Sequence, residues 1–234
     1  MKRLFPAILL LLTAHLSFAQ EQLTGAWQLI QTGKEPQTIR IIEDGYFMQT
    51  VYDQAGKQFI STLGGQFSSD GQSLQETIEF NTVNKSNVGI KNTCSYTLVK
   101  DLLTVTCNGK NVKWQRLDEG KAALSGTWRI TGREINGTIE PMRPGPRKTL
   151  KILSGNRFQW AAINTETKEF FGTGGGTYTF ENGKYTETIA FFSRDNSRVG
   201  MSLSFDGKVT GKQWHHSGKS SKGDPISEIW SRIE

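Results

Sequence analysis

The chain contains the stretch FMQTVYDQAGKQFISTLGGQFSSDGQSLQETIEFNTVNKSNVG at residues 47–89 and, 111 positions further on, its counterpart FQWAAINTETKEFFGTGGGTYTFENGKYTETIAFFSRDNSRVG at residues 158–200. The two stretches align without a gap. Each belongs to a longer unit that opens with Gly-x-Trp, at 25–27 and 126–128, and closes with Trp-x-Arg and an aliphatic residue, at 114–117 and 230–233. A unit with its own start and end that recurs once predicts two tandem domains rather than a solenoid.

A leader precedes the first unit. Lys2 and Arg3 give it a positive start, residues 4–12 are apolar, and residues 17–19 form a small-x-small cleavage pattern. We therefore predict a secretory signal peptide that is cleaved after Ala19 and is too short for a stable membrane span. Gln20 rather than a cysteine follows the cleavage point, so no lipoprotein anchor is expected. We expect a periplasmic or secreted protein without a membrane span.

Short runs of strand-forming residues alternate with turn signals along both units. Eight strands are predicted in the first, at residues 26–31, 38–43, 46–52, 58–66, 74–81, 89–99, 102–107 and 111–117. The second repeats the plan with longer loops at 136–147 and 217–224. Short strands joined in sequence by tight turns predict up-and-down antiparallel barrels, which leave no sheet edge. The expected fold is all-β, with a signal peptide at 1–19, one eight-stranded barrel at 20–119 and another at 120–234.

The ordered set of Gly-x-Trp, eight strands and a late arginine resembles the lipocalin, or calycin, superfamily. Residues 183–189, 214–218 and 226–232 are more specifically similar to lipocalin-like domains of unknown function from secreted bacterial proteins. In this superfamily the first-strand tryptophan closes one end of the barrel and the late arginine packs across it. The resemblance implies that Trp27 pairs with Arg116 and that Trp128 pairs with Arg232.

Cys94 and Cys107 flank a predicted hairpin that turns at Lys100-Asp101. With a two-residue turn, opposing positions sum to 201, which places the two cysteines opposite each other on one face. A cross-strand disulfide follows in an oxidising compartment, and two reduced core cysteines are the alternative. Two cysteines without a nearby histidine do not supply the ligands of a four-coordinate zinc site.

One acidic residue of each unit is predicted to point into its barrel. Alternation places Glu187 on one face with Tyr185, Ile189 and Phe191, and it places Glu76 inward in the first unit. A carboxylate in an apolar interior must be paired, hydrogen-bonded or protonated. In the second unit, Trp and His share a face at 214 and 216, and a Glu at 228 precedes the closing motif. The candidate ligand-binding residues are therefore Tyr185, Glu187, Trp214, His216 and Glu228.

The formal charge is unevenly divided. Residues 20–119 contain 9 Lys and Arg against 11 Asp and Glu, whereas residues 120–234 contain 17 against 11. Basic clusters occur at 143–148 and 219–222. They indicate either solvated loops or an anionic partner such as a carboxylate ligand, an acidic glycan or a lipid headgroup. The basic residues are too scattered to predict nucleic-acid binding.

We predict non-covalent binding of a small amphipathic or anionic molecule in the second barrel, without cofactor or metal. The alternative is a non-catalytic envelope interaction or structural module whose filled barrels contact a glycan or a protein through their loops. An enzyme with Glu187 and His216 as acid and base, and a metal held by those residues with Glu228, are further alternatives. The serines show no nucleophile-elbow pattern, so no enzyme is predicted. A connected cavity inside a barrel would distinguish the first two hypotheses.

Overall fold

The computed structural model describes residues 21–34 and 36–233, so the predicted signal peptide at 1–19 lies outside the described residues. The predicted all-β fold is confirmed, because the chain forms two closed eight-stranded antiparallel barrels in tandem. The strands of the first barrel are β1 (Gly25–Leu29), β2 (Gln37–Glu43), β3 (Tyr46–Asp53), β4 (Gln58–Ser69), β5 (Ser73–Asn81), β6 (Lys91–Val99), β7 (Leu102–Cys107) and β8 (Lys110–Asp118).

The second barrel repeats this order with one strand added. Its strands are β9 (Gly126–Ile135), β10 (Thr138–Pro141), β11 (Arg147–Ser154), β12 (Arg157–Asn164), β13 (Glu169–Glu181), β14 (Lys184–Phe192), β15 (Ser202–Thr210), β16 (Gln213–Lys219) and β17 (Pro225–Arg232). Pairing of β9 with β17 closes it. Within the described ranges, no helix is both long and apolar enough to span a membrane.

The strand β10 corrects the prediction of a loop at 136–147. It pairs with the end of β9 through a tight turn at Asn136-Gly137, where both residues have positive φ, 51° and 80°. Asn-Gly between two short runs favours this hairpin turn, since its twist matches that of the paired strands. We call residues 133–141 the β9–β10 extension.

A bulge shifts the strand register at the same place in each barrel, next to Gly65 and next to Gly176. A Cβ atom on Gly65 would lie 1.9 Å from the Thr77 carbonyl oxygen, so no other residue fits this approach. The extra residue of a bulge reverses the alternation of the residues that follow. The prediction that Phe191 shares a face with Glu187 is therefore wrong, because Phe191 points out of the barrel.

The two barrels pack together through their outer faces. An apolar cluster joins β2, β3 and β5 of the first barrel to β11, β12 and β14 of the second. Near its middle, the Gln159 side-chain amide donates to the hydroxyls of Thr62 (2.9 Å) and Thr173 (3.1 Å), two residues at equivalent positions of the repeat. Equivalent surfaces of the two units thus face each other. The cluster consists of Ala26, Ile39, Ile41, Tyr46, Met48, Tyr52, Phe80, Leu150, Ile152, Ala161, Ile163, Ala190 and Phe191.

The β2–β3 turn of the first barrel docks on the closed end of the second. Asp44 accepts from the backbone nitrogen of Thr127 (2.8 Å) and from the Arg232 guanidinium through two bonds of 2.7 and 2.8 Å. The equivalent β11–β12 turn makes the reciprocal contact, in which the Ser154 hydroxyl donates to Asp118. Two polar hairpin contacts therefore supplement the apolar cluster.

The predicted disulfide is confirmed. Cys94 and Cys107 are bonded with their Cα atoms 4.8 Å apart. The register agrees with the prediction, because Leu98 lies opposite Leu103 and the pairing continues along β6 and β7 toward the cysteines.

Candidate functional site

Lys151 of β11 lies at the centre of the second barrel. Its Nζ atom is 2.6 Å from Glu187 Oε1, and both side chains are at least nine-tenths buried. The Tyr185 hydroxyl donates to the same carboxylate oxygen at 2.9 Å. Burial, together with the neighbouring Glu187, raises the pKa of Tyr185 well above its ordinary value, so the phenol keeps its proton and remains a donor.

Four aromatic rings surround the Lys151 ammonium. Its nitrogen lies 5.6, 5.1, 5.4 and 5.2 Å from the ring centroids of Phe158, Tyr185, Trp214 and Trp230. Each distance is within the range of a cation–π interaction. The arrangement is an aromatic cage that is occupied by the protein's own cation.

Glu228 and His216 lie beside this cage. Trp230 Nε1 donates to Glu228 Oε2 at 3.2 Å, and His216 Nδ1 is 3.7 Å from the same oxygen. Burial lowers the pKa of His216, so the imidazole is neutral at neutral pH. Burial by itself raises the pKa of Glu228, but nearby His216 and the charge of Lys151 outweigh it and lower that pKa overall.

The structure brings the five predicted site residues into one interior cluster. Sequence reasoning missed its central cation, Lys151. A signal was present, since residues 149–153, TLKIL, align with residues 38–42, TIRII, at the same offset of 111. A basic residue in the middle of an apolar strand, found at the same place in both units, indicates a buried and paired cation.

The first barrel contains the equivalent pair. Arg40 Nη1 is 2.6 Å from Glu76 Oε1, which confirms the inward direction expected for Glu76. The guanidinium also donates to Gln49 Oε1 through two bonds of 3.1 and 2.7 Å and lies 5.1 and 4.9 Å from the rings of Phe47 and Trp114. A buried cation and its carboxylate thus belong to the repeated unit itself.

Each barrel has a Trp–Arg pair at its end. In the first barrel the Arg116 guanidinium lies 4.1 Å from the Trp27 ring centroid. In the second, Arg232 is opposite Trp128 in the strand register, and its guanidinium binds Asp44 of the other barrel. Each tryptophan is fixed by a hydrogen bond from its Nε1 to a carbonyl four residues earlier, at 2.9 Å.

Within residues 21–34 and 36–233, five clefts are lined by neither Glu187 nor His216. One of about 1000 Å³ lies at the end of the first barrel beside Asp101, Arg116 and Arg232. Another of about 460 Å³ lies between the barrels. Within the described part of the chain, His216 and the Trp214 indole nitrogen have no hydrogen-bond partner. In that same part no three His, Cys, Asp or Glu side chains are placed to hold a metal ion.

Comparison with known proteins gives weak structural matches only. No protein-family model matches the chain, and no curated protein matches it. An uncharacterised protein from Bacteroides eggerthii is similar to 47% of this chain over 98% of its own length, with 12% identity and a TM-score of 0.33. A lipocalin-like protein from Bacteroides uniformis is similar to 48% over 100%, with 12% identity and a TM-score of 0.34. Transferrin binding protein B from Neisseria meningitidis is similar to 87% over 61%, with 10% identity and a TM-score of 0.24.

The lipocalin-like fold expected from the sequence is confirmed by the strand topology. Each unit closes as an eight-stranded up-and-down barrel, and apart from the added strand β10 the strand order follows the chain order in both.

Proposed function

We propose that this protein is an exported, non-catalytic binding module whose partner contacts the outside of two filled barrels. The position of Lys151 carries this proposal, because its ammonium occupies the interior place that a ligand would take. Of the two hypotheses that the sequence leaves open, the filled module is therefore the one that we adopt.

Energetics favour a filled interior. Admission of an apolar ligand to the second barrel would separate Lys151 from Glu187, which are 2.6 Å apart. An uncompensated buried charge costs several kcal/mol, which a small apolar ligand does not readily offset. The first barrel presents the same obstacle through Arg40 and Glu76.

Export and the lack of catalysis rest on separate observations. The disulfide between Cys94 and Cys107 is typical of an oxidising compartment, which agrees with the predicted signal peptide. His216 and Glu187 are enclosed by aromatic rings and line none of the described clefts, so acid–base chemistry on a substrate is not favoured.

A ligand inside the second barrel is the second candidate. It is favoured by Trp214 Nε1 and His216, whose buried nitrogen atoms have no partner in the described residues. Buried polar atoms normally have one, so a small polar guest would fit here better than an apolar one.

Thermal melting with a panel of fatty acids, sterols and small polar amphiphiles tests the proposal. We expect no increase in the melting temperature of the wild type with any member. A ligand present at about 100 times its Kd would add about 2.7 kcal/mol, which such a scan detects. An increase that is accompanied by a change in tryptophan fluorescence would contradict the filled barrel and favour the second candidate.

A further inference from the structure

A small basic pocket lies at the rim of the second barrel, where the loop after the β9–β10 extension returns to β11. Its volume is about 120 Å³, and its lining includes Arg129, Arg143 and Arg147. Ile130, Met142 and Pro144 form an apolar side of the same pocket. We call it the rim pocket.

Contacts within the protein fix the shape of the rim pocket. Arg129 Nη2 donates to the Gly145 carbonyl at 2.8 Å and so attaches the returning loop to β9. The Arg147 guanidinium lies 4.7 Å from the centroid of the Phe171 ring, which orients its planar face. The loop contains Pro144 and Pro146, which restrict its backbone.

The charge of the rim pocket is largely uncompensated. The lining contains no acidic residue, and none of Arg129, Arg143 and Arg147 is within ion-pair distance of a carboxylate in the described ranges. The remaining basic residue, Lys148, is paired with Glu79 of the first barrel at 2.8 Å. Three guanidinium groups are therefore available to one ligand.

We propose that the rim pocket binds the anionic group of an acidic sugar, a carboxylate or a sulfate. Guanidinium groups recognise such planar or tetrahedral anions through paired hydrogen bonds, which a lysine cannot reproduce. The pocket accommodates one charged group, and its apolar side matches the C–H face of a sugar ring. This inference rests on the proposed function, because it places the partner on the outside of a filled barrel.

The surroundings favour a discrete ligand over an anionic membrane surface. The β9–β10 extension contains Glu134 and Glu140, which are exposed, and Glu140 comes two residues before Met142 of the rim pocket. A flat anionic surface that reached the arginines would also approach these carboxylates and be repelled. A small ligand in the recess avoids them.

The equivalent cleft of the first barrel is not basic. It lies beside β1 and the β1–β2 connection, and its lining contains one basic residue, Lys34, which Glu35 follows directly in the sequence. The 17 Lys and Arg of residues 120–234 include those of the rim pocket, so part of the charge difference between the units lies here. The proposed ligand therefore binds one barrel only.

Isothermal titration calorimetry of the full-length mature protein at low salt tests the proposal. The probes are trigalacturonate as the carboxylated ligand, a sulfated heparin disaccharide, inorganic phosphate, neutral maltotriose, and phosphatidylglycerol vesicles. We expect binding of at least one of the two acidic sugars and none of maltotriose. Substitution of Arg143→Ala with Arg147→Ala is expected to weaken that binding by at least about tenfold.

A charge-matched variant is the control. Lys208→Ala with Lys219→Ala removes the same charge from exposed positions on the second barrel and is expected to change affinity by less than about twofold. Arg143→Lys with Arg147→Lys keeps the charge but not the paired hydrogen bonds, and it should bind more weakly than the wild type. Equal affinity of the lysine variant would overturn the assignment.

Other outcomes separate this inference from the proposed function. Binding of vesicles or phosphate alone, or no binding of any acidic sugar, would overturn the proposal of an anion site in the rim pocket. The proposal of filled barrels would be unaffected. Binding that survives the arginine substitutions but is lost in Glu187→Gln, with that variant shown to be folded by circular dichroism, would place the ligand inside the barrel and overturn both proposals.

Discussion

The two barrels agree in their interiors and differ at their surfaces. Each contains one buried cation paired with one carboxylate at equivalent positions, Arg40 with Glu76 and Lys151 with Glu187, both at 2.6 Å. By contrast, within the part of the chain that the structure describes, only the second has an added strand and a basic rim pocket. The shared part concerns stability, and under our proposal the differing part concerns recognition by the outside of the barrels.

A second difference lies at one cross-strand position. Where the first barrel has the disulfide between Cys94 and Cys107, the second has Phe205 opposite Gly218. A Cβ atom on Gly218 would lie 2.8 Å from the Phe205 ring, so the glycine leaves room for the aromatic side chain. The same hairpin is thus fixed covalently in one barrel and by aromatic packing in the other.

The largest expected effect follows from the interior pairs. Glu187→Gln removes the carboxylate that pairs directly with the Lys151 ammonium and should cost about 3–5 kcal/mol of unfolding free energy. Glu76→Gln should cost less, because Arg40 keeps two hydrogen bonds to Gln49 Oε1. Urea unfolding of the wild type and both variants measures the difference.

A double variant distinguishes the loss of both charges of the ion pair from the loss of one charge alone. Lys151→Met with Glu187→Leu removes both charges and should be closer to the wild type than Glu187→Gln is. If Glu187→Gln melts like the wild type, the pair does not stabilise the barrel, and a ligand role for Glu187 becomes the better interpretation.

Reduction of the disulfide is expected to have an intermediate effect, confined to the first barrel. The bond joins residues that are 13 apart, and a loop of this size contributes about 2–3 kcal/mol. Hydrogen exchange should therefore increase in β6 and β7 and remain unchanged in β15 and β16. Cys94→Ser with Cys107→Ser should reproduce the change without reductant, and equal exchange in both barrels would contradict it.

The smallest expected effect is a pH dependence that arises from Glu43, whose equivalent in the second barrel is Ser154. The pKa of Glu43 is raised from 4.5 to about 9, mainly by burial and to a smaller extent by the neighbouring Asp44. A folded-state pKa above the unfolded value contributes stability that is complete below pH 4.5 and is lost as pH rises toward 9.

Glu43→Gln removes this titration. Its stability relative to the wild type should increase by about 1–2 kcal/mol between pH 6 and pH 7. Chemical unfolding at both pH values measures the shift. A constant difference between Glu43→Gln and the wild type across this range would show that Glu43 is ionised in the folded protein.

Much of the fold was predictable because its signals are local. Alternation and turn residues predict the strands, and the turn at Lys100-Asp101 sets the register that joins Cys94 to Cys107. The interior cluster was predictable in part, since alternation also directs Glu187 inward. The prediction for Phe191 was wrong because a bulge changes the alternation of inward and outward side chains. The sequence of one strand does not indicate where its partner strand bends.

The sequence by itself determined two closed barrels, their inward carboxylates and the disulfide, since short-range patterns specify which residues alternate and where the chain turns. Only the tertiary structure decided which rings surround Lys151, how the outer faces join, and that three arginines share one recess. These features depend on contacts between strands that are far apart in sequence, where barrel closure and side-chain packing set the distances.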